Sequence, residues 1–446
     1  MRTTYRLATR LAAFLALILV AMACAPSQDL QEEAQEEGQP VEATQGPTSE
    51  VASDSGDTGG GDGDTIRIGF IAPLTGTIAA PGTDMLKGWE FFWEQHGTEV
   101  AGRQVEYFVE DDTGDPSVAL NRVQRLVEEE DVHMVVGPVL ANVALAIAEY
   151  LVREGVPSIQ AVAAADDLTQ REFDPLVLRL GATTSSQPSH PAGEWAYEQG
   201  HRTAITICPD YAFGHESCGG FARTFKDSGG EIVAQLWNPL GTQDFSSYMA
   251  DIQAADPDIA YVGQTGGDAG RFVQAWSDFG LKDQIEFLGN STITEQAVLR
   301  GMGPEAEGLR SFSYYAEARD DPTTQDFIEA YAEANDGEIP SLYSAGAYTA
   351  AQWIVQALEQ IEGDASDTDA FVEAAQSISL ETPLGPMHLD DYNNPIYNAY
   401  LREVVARDDG TLWNVPIETY EDVSQFWTYD PEEYLQDPVY SRDFQG

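Results

Sequence analysis

Lysine is almost missing from this chain. It occurs only at Lys87, Lys226 and Lys282, and the 22 Lys and Arg residues together face 75 Asp and Glu, a formal net charge of −53. A surface this acidic repels nucleic-acid phosphates and anionic lipid headgroups, which argues against a nucleic-acid partner. Strong acidity with little lysine is expected of proteins that stay soluble in concentrated salt.

Cysteine is also scarce, with three in 446 residues. Cys208 and Cys218 have no CxxC spacing, and together with His215 they fall short of a closed zinc site. In an oxidising compartment this pair can form a disulfide, which we favour over two free thiols.

Catalytic motifs are missing as well. The sequence has no HExxH, no GxxxxGK[ST] and no GxGxxG after a strand, and the glycines around Ser217 stand at the wrong offsets for a nucleophile elbow. The six His residues form no recognisable cluster. We therefore predict a protein that is not an enzyme and that needs neither a cofactor nor a metal.

The apolar run at the N-terminus, Leu11 to Ala23, is too short to span a bilayer comfortably. Basic residues precede it, and residues 1–23 therefore read as a signal peptide for export. The residues from Ala21 to Cys24 resemble a bacterial lipobox, which would make Cys24 the lipid-attachment residue and anchor the protein to the outer face of the cell membrane. An ordinary secretory signal with a chance cysteine is the alternative.

Residues 24–63 lack aromatic residues, lysine and arginine. A segment of this composition buries too little apolar area to offset its ordering entropy, so we predict an acidic, disordered tether.

The first ordered stretch predicts a β-α-β unit. A strand at Ile66 to Ala72 leads through the loop Leu74 to Gly82 into a helix at Thr83 to His96, and a strand at Val105 to Val109 follows. In an open parallel sheet such a loop lies at the carboxyl edge of the strands, where ligands bind. Thr75 and Thr77 in this loop are therefore candidate ligand-binding residues.

Strands and helices continue to alternate as far as Leu180, which predicts an α/β lobe with a parallel sheet. A second alternating series runs from Thr203 to Gly289, and two similar lobes in tandem suggest a cleft between them. Two amphipathic helices, Thr323 to Asn335 and Leu342 to Ile361, agree with a return to the first lobe.

Several blocks occur in a diagnostic order: IRIGFIAPLTG, GRQVEYFVEDDTGDP, VVGPV, the turn from Asp210 to Gly214, and DFSSYMADIQAADPDIAYVG. Together they resemble the leucine/isoleucine/valine-binding family of ABC-transporter substrate-binding proteins. The resemblance implies an α/β fold of two doubly wound parallel-sheet lobes joined by a three-segment hinge, the type I periplasmic-binding or Venus-flytrap fold. It places lobe 1 at residues 64–183 and 316–387, and lobe 2 at residues 184–315 and 388–446.

The same resemblance places the ligand in the cleft, and here the chain departs from its family. A hydroxyl that holds the ligand carboxylate falls on Ala141, followed by Asn142, and the polar run after the fourth strand becomes apolar at Ala163 and Ala164. In the family these positions recognise one end of an amino acid.

The positions that contact the amino group of the ligand in the family have changed as well. The aromatic residue and the carboxylate that face it fall on Thr265 and Ser291, and only the aromatic turn survives, as Tyr211 and Phe213. Because an unpaired buried charge is costly, we expect a less charged ligand than a zwitterionic amino acid, such as an aromatic acid or an amide.

Three functional classes follow from these observations. The first is a monomeric binding protein that captures a small molecule and delivers it to an ABC permease. The second is a sensor of the same fold that is coupled to signalling. The third, an exported hydrolase, is disfavoured by the missing catalytic motifs.

Overall fold

A computed structural model describes residues 65–444. The predicted signal peptide, the tether and Cys24 lie outside the described residues. Within this range, no helix is both long and apolar enough to cross a membrane.

A six-stranded sheet forms the centre of the first lobe. Its strands lie in the order β2-β3-β1-β4-β5-β6, and β1 pairs in parallel with both β3 and β4. The strands are Thr65–Ala72 (β1), Glu99–Val100 (β2), Arg103–Asp111 (β3), Met134–Val136 (β4), Ser158–Gln160 (β5) and Val177–Arg179 (β6).

A nine-stranded sheet forms most of the second lobe, and the end of it around Leu380 and Met387 packs in the apolar cluster of the first lobe. Its strands are Thr203–Pro209 (β7), Glu231–Asn238 (β8), Ile259–Val262 (β9), Glu286–Gly289 (β10), Arg310–Ser313 (β11), Ser379–Thr382 (β12), Gly385–Leu389 (β13), Pro395–Ala406 (β14) and Leu412–Val423 (β15). The strands β7 to β11 pair in parallel, whereas β14 pairs antiparallel to both β11 and β15. The predicted α/β class with two lobes is confirmed, with a mixed second sheet.

Helices cover both sheets. They are Ala79–His96 (α1), Pro116–Glu128 (α2), Ala141–Glu154 (α3), Ser189–Glu198 (α4), Ala212–Asp227 (α5), Ser246–Ala255 (α6), Gly267–Asp278 (α7), Gln296–Leu299 (α8), Pro322–Ala334 (α9), Leu342–Gln360 (α10), Thr368–Gln376 (α11) and Pro431–Tyr434 (α12). Side chains cap several of them: Asp115 accepts from Ser117 N at 2.8 Å at the start of α2, and Ser341 forms a capping box with Ser344 on α10.

The first core lies under α1 and α10. Phe70 of β1 contacts Trp89 of α1 with ring centroids 5.4 Å apart, and both belong to one apolar cluster with Trp353 of α10. The two helices meet so closely at Gly88 that a Cβ there would lie 2.1 Å from the Ser344 carbonyl oxygen, so only glycine fits.

Helix α1 begins earlier than the sequence predicts. It starts at Ala79 rather than Thr83, because Pro81 lies in the first turn, where a missing N–H is harmless. The loop after β1 is shortened accordingly.

Three segments of chain connect the lobes. The first follows β6, the second joins β11 to α9, and the third runs through β12 to β14, where Met387 packs in the first core while β14 pairs with β11 of the second sheet. Gln187 of the first segment donates to the carbonyl oxygens of Pro395 and Val423 at 2.9 and 2.8 Å. The first connecting segment is thus bonded to the start of β14 and the end of β15.

Candidate functional site

A small cavity lies between the two lobes and encloses about 40 Å³. The carboxyl ends of parallel strands from both sheets meet there, as they do at ligand sites in open α/β sheets. It is lined by Val139, Leu140, Ala141, Val162, Ala164, Thr183, Thr184, Ser185, Pro188, Tyr211, Phe213, Ser217, Thr265, Asn290, Ser291, Thr292, Tyr314, Leu342 and Tyr343. Because residues of both lobes line the cavity, a solute that binds there contacts both lobes.

Two helices begin at the cavity wall with their backbone N–H groups unprotected by side chains. Ala141 is the first residue of α3 and Ala212 the first of α5, and neither helix has a side-chain cap because Leu140 and Tyr211 hold the N-cap positions. Such N-termini present unsatisfied donors and the positive end of a helix dipole, which favour acceptor atoms and negative charge.

The cavity wall carries no Asp, Glu, Lys, Arg or His among the described residues. Four aromatic residues line it: Tyr211 and Phe213, with ring centroids 5.9 Å apart, Tyr314 and Tyr343. Burial raises the pKa of the three tyrosines above 10, so their hydroxyls are neutral at physiological pH. The surface is therefore apolar and aromatic, with neutral hydrogen-bonding groups.

Hydroxyl groups provide most of its polarity. Thr265 after β9 lies 3.3 Å from the hydroxyl of Tyr343 on α10, a hydrogen bond that joins the two lobes. Thr292 donates to the carbonyl of Gln264 at 2.7 Å. By contrast, the hydroxyls of Thr184 and Ser291 are buried and have no partner.

Two fully buried arginines stand just behind the wall. Arg179 donates to the carbonyls of Ala163 and Ala165 at 2.5 and 2.7 Å, on either side of the lining residue Ala164. Arg402 donates to the carbonyl of Ser291 at 2.7 Å and to that of Tyr315 at 2.6 Å. Both guanidinium groups thus bond to backbone carbonyls in or next to the wall, and Arg179 Nε has no partner.

Buried carboxyls accompany these arginines. Burial raises the pKa of Asp166 to about 6 and that of its neighbour Glu216 well above 4.5, and Ser185 Oγ lies 2.7 Å from Glu216. Near Arg402, at 4.0 Å, burial raises the pKa of Glu295 to about 8 in spite of that cation. At neutral pH Glu295 is mostly protonated and offsets little of the charge of Arg402, whereas Asp166, with a pKa of about 6, is mostly ionised.

An ion cluster joins the lobes away from the cavity. Arg300, just after α8, places Nη2 2.5 Å from Asp84 Oδ1 on α1 and also pairs with Glu338, which precedes α10. Lys87 Nζ lies 2.5 Å from the other oxygen of Glu338. Asp84 has only 3% of its side chain exposed, so the cluster shields a nearly buried carboxylate.

Six of the ten sequence-predicted ligand residues lie on the cavity wall. They are Ala141, Ala164, Tyr211, Phe213, Thr265 and Ser291. Their contact with a ligand stays a prediction.

The other four do not line the cavity. Thr75 is exposed and donates to Asp111 Oδ2 at 2.7 Å, whereas Thr77 lies at the rim, 3.9 Å from the position that a Cβ of Gly241 would take. Asn142 is the second residue of α3, and Ala163 is buried with its carbonyl bonded to Arg179.

Sequence reasoning predicted the hinge and the start of α10 but did not identify their residues as part of the site. Thr183, Thr184 and Ser185 belong to the first connecting segment, and Leu342 and Tyr343 open α10. A signal was present in the run of hydroxyl residues ATTSSQPS at the predicted boundary of lobe 1.

Cys208 and Cys218 form a disulfide that ties the end of β7 to α5. Both residues are fully buried beneath the turn that carries Tyr211 and Phe213. No cluster of three potential metal ligands occurs within residues 65–444.

Comparisons with known proteins agree with this architecture. The family model described as "Periplasmic binding protein" matches residues 65–411. The Leu/Ile/Val-binding protein homolog 6 of Brucella abortus is 31% identical over 365 residues, covering 80% of this chain and 92% of that protein.

Solved structures give the same result. An ABC transporter substrate-binding protein from Sphaerobacter thermophilus superposes with a TM-score of 0.77 at 32% identity, covering 81% of this chain and 99% of that chain. A solute-binding protein of an ABC transporter from Rhodopseudomonas palustris BisB5, in complex with 3,4-dihydroxybenzoic acid, gives a TM-score of 0.77 at 28% identity with the same coverage. The chain therefore belongs to the Leu/Ile/Val-binding family of periplasmic binding proteins, the extracytoplasmic substrate-binding proteins of ABC transporters.

Proposed function

We propose that this substrate-binding protein captures a small aromatic carboxylic acid between its lobes and delivers it to an ABC permease. The observation that carries the proposal is the cavity wall, which is aromatic and hydroxyl-rich and lacks charged side chains. A zwitterionic amino acid would leave its ammonium group without a carboxylate partner there, at a cost of several kcal/mol.

A planar ring suits the same wall. Tyr211, Phe213, Tyr314 and Tyr343 offer faces and edges on which an aromatic ring gains about 0.5–1.5 kcal/mol per pair beyond area burial. A carboxylate gains from the uncapped N-termini of α3 and α5 and from the buried guanidinium groups of Arg179 and Arg402. The relative that was solved with 3,4-dihydroxybenzoic acid supports this ligand class.

Delivery requires that the ligand change the balance between two conformations. Because the cavity wall comes from both lobes, a ligand contacts both only when they are closed, and its binding energy favours that state. We propose that the permease recognises this closed form.

Calorimetric titration of the full chain, purified in mild detergent, tests the ligand. We expect 4-hydroxybenzoate or 3,4-dihydroxybenzoate to bind with a micromolar dissociation constant, about −8 kcal/mol, and leucine and valine to bind at least a hundredfold more weakly. Tight binding of leucine without binding of the ring acids would refute the proposal.

We further propose that residues 1–23 are removed and that a lipid on Cys24 holds the monomeric protein at the membrane, with residues 24–63 as its tether. Mass spectrometry of the membrane-extracted protein should show an acylated N-terminal peptide that begins at Cys24. Cys24→Ala should release the protein from the membrane fraction, whereas Cys208→Ala should not. An unmodified Cys24 in the mature protein would contradict the anchor.

A further inference from the structure

Two hydroxyls on the cavity wall stand apart from the rest. Thr184 is fully buried and Ser291 is 5% exposed, yet neither side-chain oxygen has a hydrogen-bond partner. The other lining residues with threonine, serine or asparagine side chains are all bonded, namely Thr183, Ser185, Ser217, Thr265, Asn290 and Thr292. Because an unmade hydrogen bond at a buried hydroxyl is destabilising, the exceptions call for a partner from the cavity.

The backbone around each hydroxyl is fixed by other bonds. The carbonyl of Thr184 accepts from the Thr183 hydroxyl at 2.9 Å, and its N–H donates to Gln187 at 3.4 Å. The carbonyl of Ser291 accepts from Arg402 at 2.7 Å. Both hydroxyls are therefore held on rigid supports before any ligand arrives, as a binding group must be.

Their surroundings favour an oxygen acceptor that carries negative charge. The backbone carbonyl of Ser291 accepts from the guanidinium group of Arg402, so a cation lies beside that residue, and Arg179 stands behind the wall at Ala163 and Ala165. Hydrogen bonds to an ionised acceptor are about twice as strong as those between neutral groups.

We infer that the Thr184 and Ser291 hydroxyls are specificity-determining donors of the cleft and that they bind the oxygen atoms of a ring-bearing carboxylic acid. This inference rests on the proposed function. Thr184 belongs to the hinge and Ser291 to the second lobe. A ligand can therefore bond both hydroxyls only when the second lobe has the right position relative to the hinge.

Thr184→Val and Ser291→Ala test the inference by calorimetric titration of the full chain with 4-hydroxybenzoate and 3,4-dihydroxybenzoate. Each variant should raise the dissociation constant about tenfold or more for at least one of these acids. The melting temperature of the ligand-free protein should stay the same or rise, because an unpaired buried oxygen has been removed. If either residue had a purely structural role, its substitution would lower the affinity and the melting temperature together.

Thr206→Val is the matched control. Thr206 on β7 is another fully buried hydroxyl without a partner, but it does not line the cavity, so its loss should leave affinity unchanged. Unchanged affinity in Thr184→Val or Ser291→Ala overturns the role of that hydroxyl, as does an equal loss in Thr206→Val. If the unaltered protein binds neither acid, the proposed function itself fails, and this inference fails with it.

Discussion

The ion cluster around Arg300 should stabilise the closed state. Arg300 follows α8, which comes after β10 of the second sheet, whereas Asp84 lies on α1 of the first lobe. If opening separates these residues, Arg300→Met removes a contact that only the closed form makes. The ligand's affinity should then fall, because closing the cleft leaves the Asp84 carboxylate almost buried without its cation.

The size of the expected loss of affinity depends on how exposed Arg300 and Asp84 are. Breaking a fully buried ion pair costs about 3–5 kcal/mol, whereas an exposed pair contributes about 0.2–1 kcal/mol. With the side chain of Arg300 33% exposed and that of Asp84 3% exposed, we expect a loss of about 1–2 kcal/mol of binding free energy, or a roughly 5- to 30-fold larger dissociation constant. High salt should shrink the difference, because Arg300 is partly screened.

The assay is a double-mutant cycle of Arg300→Met and Asp84→Asn, with the ring acid titrated at low and high salt. Arg153→Met is the control, because Arg153 is 61% exposed and pairs with its neighbour Glu154 on α3. Equal losses of melting temperature with and without ligand, at unchanged affinity, would show that the pair persists in the open form. That result would refute the reasoning.

Three further predictions concern the disulfide, a buried acid and the aromatic turn. Cys208→Ala with Cys218→Ala should lower the free energy of unfolding by about 3 kcal/mol in urea denaturation, because the ten-residue loop is no longer closed; equal stability of the oxidised and reduced protein would contradict this. Burial raises the pKa of Glu295 to about 8, so the folded protein keeps a proton that the unfolded chain loses near pH 4.5. The free energy of unfolding should therefore fall as the pH rises from about 4.5 to about 8. Glu295→Gln should flatten that decline in melting curves, and an unaltered slope would count against it. Phe213→Ala should weaken ring acids about tenfold in calorimetry with little change in melting temperature, since Phe213 is only partly buried; undiminished affinity would remove it from the ligand contacts.

Periodicity alone predicts most of this fold. The strand predicted at Ile66 to Ala72 is observed at Thr65–Ala72, and the helix predicted at Leu342 to Ile361 is observed at Leu342–Gln360. These elements bury one continuous face or run, so the hydrophobic pattern marks both of their ends. The apolar run Val156 to Val162 predicts a longer strand than the observed Ser158–Gln160 of β5, because the loop that leaves this buried strand is itself buried.

Hydrophobic periodicity predicts fewer of the residues of the candidate site. Tyr211 and Thr265 lie on the cavity wall at strand ends, and it is the family resemblance that points to them. Thr184 and Tyr343 are 159 positions apart in the chain and meet only because the hinge returns α10 to the first lobe. No local pattern records such a crossing, and a family alignment transfers only positions that the family itself uses.

The charge of the whole protein and the charge of the cleft have opposite consequences. A net charge of −53 repels an anionic ligand at a distance, but screening confines that repulsion to about 10 Å in moderate salt and to less in concentrated salt. Inside the closed cleft the dielectric is low, and the guanidinium groups of Arg179 and Arg402 stand just behind the wall, while the raised pKa of Glu295 limits the opposing negative charge beside Arg402. A highly acidic protein can therefore hold an acid, because the charges that govern solubility lie on the surface and the cations that favour the acid lie buried behind the cavity wall.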